Sequence, residues 1–339
     1  MIIYDGIIEK LQQGGGVTVV FNELIKRLNH SYLYFSYESS SHIANSKQNH
    51  ILSSRLFERY RDAQLPLELL GEAAVFHSTY YRLPANANLP VVTTVHDFTY
   101  EKFVKGPAKW VHSYQKNRAI RNSDVVICVS HNTAKDLQQY CPIDPKKIRV
   151  IYNGVSDSYH PLSGISGEQS QDVVFVGARS GYKNFRLAVE SVAAVPNLRL
   201  QIVGGGKLSE DEIKHLDAHL PNRYQWLGRL SDEELNEIYN QAYALLYPSN
   251  YEGFGIPVIE AMRAGCPVIA VNVSSIPEVA GDAAILVDKP TVAAFSEALI
   301  KLSTIRKQLI SAGFTQAAKF SWDRCFEETL AVYNELLAK

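Results

Sequence analysis

The sequence predicts an α/β protein of two domains, each built on a parallel sheet with helices on both faces. Three observations lead there. The chain has 339 residues, 46% of them hydrophobic and 20% charged, which is material for two cores rather than one. Short apolar runs alternate with stretches of helical periodicity, the rhythm of repeated βα units. That rhythm breaks at residues 156–171, SDSYHPLSGISGEQSQ, rich in Ser and Gly with one Pro, and then restarts. The break reads as an interdomain linker.

The first half opens with an apolar strand over 1–8 and a loop over 9–16 ending in Gly14, Gly15 and Gly16. A helix follows, its apolar face Val17, Val20, Phe21, Leu24 and Leu28. The triple glycine is not the dinucleotide fingerprint. It reads either as a flexible turn or as bare backbone approaching a diphosphate or acceptor. Further strands are expected at 74–77, 90–95, 124–129 and 148–152, with Ser130 capping a helix. Ligands of such sheets gather beyond the carboxyl ends of the strands. Tyr80, Tyr81, Arg82, His96, Asp97 and Ser130 all fall at those ends. A His beside an Asp can also be a hydrogen-bonded structural residue, and His77 is read as structural or acceptor-lining.

Residues 101–121 carry Lys102, Lys105, Lys109, Lys116, Arg118 and Arg121 among Phe103, Trp110, Val111 and Tyr114, with Glu101 the one opposing charge within the stretch. This is either a solvated helix face or a basic, aromatic patch for an anionic membrane surface.

The second half begins with a strand at 172–176 and the loop 177–184, GARSGYKN, before a helix with Phe185, Ala188, Val189 and Val192 at i, i+3, i+4 and i+7. Arg179 and Lys183 in that loop are natural partners of a diphosphate leaving group. A strand at 198–203 and a turn of three glycines follow. Ser209 with Glu212 and Ser231 with Glu234 form two capping boxes. Between them Trp226 reads as core packing rather than a stacking platform.

The densest signal is the run 244–288. It reads as strand 244–247, Gly-rich loop 248–255, helix 256–264, a turn at Gly265 and strand 267–271. Glu252 and Glu260 bracket the loop and helix start, with seven residues between them. Gly253, Phe254, Gly255 and Ile256 sit at a helix N-terminus, where backbone N–H groups and the helix dipole favour an anion. Pro257 fits the first turn. A phosphate beside a carboxylate that accepts sugar hydroxyls is nucleotide-sugar chemistry. A glycosidase fits poorly, because eight helical residues span ~12 Å, beyond the ~5–9.5 Å between hydrolase carboxyls.

The pattern Glu-Gly-Phe-Gly-Ile-Pro-x-x-Glu-Ala-Met-x-x-Gly-x-Pro-Val-Ile at 252–269 resembles the signature of glycosyltransferase family 4, retaining enzymes of the GT-B fold. The resemblance covers nearly the whole chain and is strongest over 172–290. It implies two Rossmann-like domains facing a cleft: residues 1–155 with a returning terminal helix at 322–339, and a donor domain at 172–321. It implies that His96 reaches the donor sugar and that Gly15 and Gly16 face the cleft. Leu227 and Arg229 would lie beside the nucleotide base. Glu260 would bind ribose hydroxyls and Glu252 the sugar, while Arg179, Lys183 and the amides near Phe254–Ile256 would stabilise the departing diphosphate. Tyr80, Tyr81, Arg82 and Asp97 are assigned to the acceptor.

The expected activity is transfer of a hexose from GDP-mannose or a UDP-hexose to a glycan on a polyprenyl diphosphate, of bacterial polysaccharide or O-antigen type. Alternatives are a nucleotide-sugar 2-epimerase of the same architecture and a non-catalytic nucleotide-sugar binding module. No cofactor and no metal are expected, since the chain has no Asp-x-Asp triplet and no Cys-x-x-Cys pair among its four cysteines. A net charge of −1 argues against a general nucleic-acid partner. Scattered cysteines, no signal-like start and no apolar run near the ~20 residues of a membrane span favour a cytoplasmic protein, peripheral at most on the inner membrane.

Overall fold

The computed structural model describes the chain except residues 13–14, 30–31, 38–48, 70–73, 166, 180 and 339, and the side chain of Glu168. Gly14 and Ser180 of the loops above therefore lie outside the described residues. The chain divides into two compact units, Met1–Gly154 with Trp322–Lys339 and Val155–Ser321.

In the first unit the strands are β1 (Ile2–Asp5), β2 (Tyr32–Ser36), β3 (Asn49–Ile51), β4 (Val75–Ser78), β5 (Val91–Val95), β6 (Val125–Cys128) and β7 (Ile148–Val150). They form one parallel sheet in the order β3-β2-β1-β4-β5-β6-β7. Central strands such as VVTTV and VVIC are buried at every position, as a sheet covered on both faces requires. The helices are α1 (Ile8–Leu11), α2 (Gly16–Lys26), α3 (Thr99–Phe103), α4 (Pro107–Arg121) and α5 (His131–Tyr140). The strand expected over 1–8 ends at Asp5, and Ile8 starts α1 instead. Val20, Phe21, Leu24 and Ile25 of α2 pack into the core. Ser130 caps α5 by accepting from the Thr133 amide at 3.0 Å.

The second unit repeats the plan with β8 (Asp172–Val176), β9 (Arg199–Val203), β10 (Tyr224–Gly228), β11 (Ala244–Tyr247), β12 (Val268–Val271) and β13 (Ala284–Val287). The parallel order is β10-β9-β8-β11-β12-β13. Its helices are α6 (Phe185–Ala193), α7 (Glu210–His219), α8 (Asp232–Gln241), α9 (Ile256–Ala264), α10 (Ile276–Ala280) and α11 (Val292–Ala317). Both capping boxes form, at α7 and α8. Trp226 is 37% exposed on the edge strand β10, so it is not core packing. An edge strand has no neighbour to cover it on that side.

The terminal helix α12 (Trp322–Leu337) belongs to the first unit, where Trp322, Cys325, Val332, Tyr333 and Leu336 join its core. The Tyr333 hydroxyl meets Tyr4 Oη at 3.0 Å and His77 Nδ1 at 2.6 Å. His77 is thus a structural residue, its Nε2 on Thr94 Oγ1 at 2.9 Å. The Ser/Gly-rich stretch read as a linker belongs to the second unit. Tyr159 is buried there, its hydroxyl donating to Asp232, and the His160 and Leu162 amides donate to Asn236 and Asn240. Composition alone hides such anchoring, since one buried Tyr and two side-chain amides suffice.

Candidate functional site

In both units the strand order reverses beside the first strand: β1 lies next to β4, and β8 next to β11. Loops leaving two such neighbours diverge and open a crevice at their carboxyl ends. In the second unit those loops are 177–184 and 248–255. Hydrogen bonds tie them together. Lys183 Nζ donates to Glu252 Oε1 at 2.5 Å, Asn184 Nδ2 to the Pro248 carbonyl at 2.8 Å, and the Asn250 amide to the Tyr182 carbonyl at 2.8 Å. The side chains of Lys183 and Glu252 are only 13% and 12% exposed. The ammonium also lies 5.4 Å from the centre of the Tyr182 ring and 5.5 Å from that of Tyr247.

The loop around Glu252 is braced from below. The Glu252 amide donates to Ser274 Oγ at 2.9 Å, and Ser275 Oγ donates to the carbonyls of Glu252 and Phe254. Phe254 itself is buried, edge-on to Phe320. Gly255, at the N-cap of α9, has φ +100°, open only to glycine at low cost. A Cβ there would also meet Ile276 Cδ1 at 2.8 Å. Ile256 then starts α9, with Pro257 in its first turn.

Glu260 lies one turn on, in a different setting. Tyr239 Oη donates to its carboxylate at 3.4 Å, and the Tyr159 hydroxyl, which donates to Asp232, lies beside it. Burial, with the Asp232 charge beside it, pushes its carboxyl from the ordinary 4.5 up to about 8. Tyr159 and Asp232 went unseen in the sequence. Tyr159 sits in the presumed linker, and no spacing joins it to residue 260.

Arg179 is employed otherwise than expected. Its Nε donates to Glu212, and its two terminal nitrogens donate to the carbonyls of Gly204, Gly206 and Lys207. Gly204, Gly205 and Gly206 all have positive φ, and a Cβ on Gly205 would lie 2.3 Å from the guanidinium. The guanidinium holds the turn after β9, work that the loop sequence gives no sign of. Leu227 is half-buried at the end of β10 and Arg229 exposed just beyond it.

In the first unit His96 follows β5. Its Nε2 is buried and, among the described residues, has no hydrogen-bond partner, and burial pushes the imidazole down to about 4, so the ring is neutral near pH 7. Asp97 turns inward: its Oδ1 accepts from the Thr99 amide at 2.8 Å and its carbonyl from Lys116 Nζ at 2.9 Å. Lys116 is fully buried on Glu101 at 2.8 Å. Tyr80 Oη meets His112 Nε2 at 3.0 Å, and Tyr81, at φ +51°, is edge-on to the same His112. Arg82 departs from its acceptor assignment. It is fully buried, bonded to Asp5 at 2.9 Å, Glu58 at 2.5 Å and the Arg61 carbonyl at 2.7 Å. A guanidinium surrounded this way holds chain segments together. Gly15 caps α2 and Gly16 is its first residue.

The basic stretch is less basic than its sequence. Lys116 pairs with Glu101, Lys102 with Asp136 and Arg118 with Asp62. Two of those carboxylates come from outside the stretch, where a sequence window cannot see them. Its aromatic character remains: Trp110 is 76% and Tyr114 73% exposed, beside the exposed Val111 and Phe103.

Residues 163–315 match the family model described as glycosyl transferases group 1, and residues 14–159 the one described as glycosyltransferase family 4. The chain is 34% identical over 173 residues to the O-antigen chain mannosyltransferase B of Escherichia coli, a match spanning 48% of this chain and 45% of that one. It is 26% identical over 349 residues to the uncharacterized glycosyltransferase MJ1178 of Methanocaldococcus jannaschii, with 95% of each chain covered. Anabaena Alr3699/HepE, solved in complex with UDP and glucose, shares the fold with a TM-score of 0.75 at 16% identity, covering 99% of both chains. The two parallel sheets and that likeness make the architecture GT-B. With models of one enzyme class matching both halves, the chain belongs to the group 1, family 4 glycosyltransferases.

Proposed function

We propose that this glycosyltransferase moves a hexose, with retention at the anomeric carbon, from a nucleoside-diphosphate sugar to a glycan carried on a polyprenyl diphosphate. One observation carries the reading. Where the strand order of the second unit reverses, adjoining loops hold an ammonium, a carboxylate and a helix N-terminus, and a further carboxylate follows one turn on. That set suits a diphosphate bonded to two sugars. Glu260 receives the ribose hydroxyls and Glu252 those of the hexose. Lys183 and the first turn of α9 take the diphosphate charge. Arg179 acts as a positioning residue through the turn it holds.

In the reaction the bond between the anomeric carbon and the diphosphate oxygen breaks, and its electron pair leaves with the nucleotide. The acceptor hydroxyl bonds to the same face of the carbon, and its proton passes to the departing phosphate oxygen. Lys183 stabilises the charge that develops on that oxygen. The neutral His96 Nε2 is a hydrogen-bond group for the donor sugar, and Tyr80, Tyr81 and Asp97 border the acceptor. Mannose is the favoured hexose, from the kinship to an O-antigen mannosyltransferase. UDP-hexoses stay in scope, because a protein of the same fold binds UDP and glucose.

The exposed Trp110, Val111, Tyr114 and Phe103, with Lys105, Lys109 and Arg121 nearby in sequence, suit an anionic bilayer surface bearing such an acceptor. Among the described residues no helix is long and apolar enough to cross a membrane.

Glu252→Gln tests the assignment at its centre. Transfer should fall by about 10²-fold or more, while the donor still binds within about tenfold of its wild-type affinity. Unchanged turnover would remove Glu252 from the reacting centre.

A further inference from the structure

Three metal-ligating side chains cluster on the second unit, apart from every residue used above. Glu190 lies on α6; His215 and His219 lie on α7, four residues apart and so on one helical face. One ligand atom from each falls within 4.8 Å of the other two. Two ligands on one tetrahedral zinc ion lie about 3.3–3.4 Å apart, given bonds of about 2.0–2.1 Å. Glu190 Oε1 already stands 3.4 Å from His215 Nε2.

The two imidazoles are prepared for that role. His219 Nδ1 donates to the His215 carbonyl at 2.9 Å, which leaves Nε2 with the lone pair. His215 Nε2 is buried and, among the described residues, without a hydrogen-bond partner. A backbone carbonyl thus orients the His219 ring, as it does in many metal-bound histidines. The His215 side chain is only 10% exposed. An ordinary ion pair does not account for the group. The 3.4 Å contact of His215 Nε2 with Glu190 Oε1 lacks hydrogen-bond geometry.

We propose that Glu190, His215 and His219 form a binding site for a divalent transition-metal ion of the zinc class, with a fourth position left to water. Two imidazoles and one carboxylate suit that class. The ion would clasp α6 to α7. The first turn of α7 carries Glu212, which holds Arg179, so the clasp braces the helix that secures the turn after β9. The metal takes no part in sugar transfer, and the proposal stands whether or not the functional reading above does.

The test uses the full, tag-free chain, stripped with a chelator, dialysed and titrated with Zn²⁺ alone, then with Co²⁺ alone. One equivalent of Zn²⁺ should bind and raise the melting temperature, and Co²⁺ should give visible d–d absorption. Glu190→Gln and His219→Gln should each weaken binding on the order of 100-fold. His219 is exposed, so His219→Gln keeps its fold and its metal-free melting temperature. Substoichiometric binding, or affinity unchanged in His219→Gln and Glu190→Gln, would overturn the site.

Discussion

Glu260 couples the candidate site to pH. Its carboxyl ionises near 8 in the folded chain against an ordinary 4.5. The folded state therefore holds this proton more tightly than the unfolded one. Its stabilising effect is complete below about 4.5 and is lost as pH rises through 8. Glu260→Gln should flatten that dependence, raising the melting temperature at pH 9 more than at pH 5; an equal effect at both pH values would refute the shift. Two ribose hydroxyls donating to the carboxylate favour its charged form. Nucleotide binding near pH 7 should then release a proton, measurable by calorimetry in buffers of different ionisation enthalpy, and affinity should rise with pH up to about 8. At this scale position was legible where it is local: one motif and one loop place Glu252 and Lys183 on the loops that meet, and Gly255 at the start of α9. The bonds of Arg82 and Arg179 were not legible, because their partners Asp5, Glu58 and Glu212 lie 24–77 positions away in the chain.

The entry into α9 is the element on which the site turns. Gly255 combines φ +100° with a space already filled by Ile276. Gly255→Ala should cost about 1–3 kcal/mol of stability and weaken nucleotide binding as the first turn shifts. Denaturant titration checks the first, and an unchanged midpoint would contradict it. Elements with strong periodicity were legible, among them α2, α6, α8 and the strands β8 and β11. Others escaped. One is α11, which is not anticipated from the sequence, although Phe295, Ala298, Leu299 and Leu302 keep i, i+3, i+4, i+7 spacing. The strand β3 has three residues, none of them buried, and carries no alternation to detect.

For the whole molecule, alternating βα units predicted two parallel sheets but not their strand order. Each crossover reads alike in sequence, whichever side of the sheet it joins. The order matters, since it brings the loops after β8 and β11 together. The surface of the first unit leads to a further expectation. Trp110→Ala with Tyr114→Ala should reduce sedimentation with anionic lipid vesicles at least severalfold and leave transfer to a soluble acceptor unchanged. Equal sedimentation would exclude α4 as the contact.

The most direct test of the central claim is a thermal-shift panel of UDP, GDP, ADP and dTDP, without added metal and again with EDTA. A ligand that binds the native state raises its melting temperature. The account predicts that one nucleoside diphosphate produces a clear shift. EDTA should leave the size of that shift unchanged, even if loss of metal at Glu190, His215 and His219 lowers both melting temperatures together. Lys183→Ala should shrink it. No shift with any of the four would contradict a donor site at the crossover between β8 and β11.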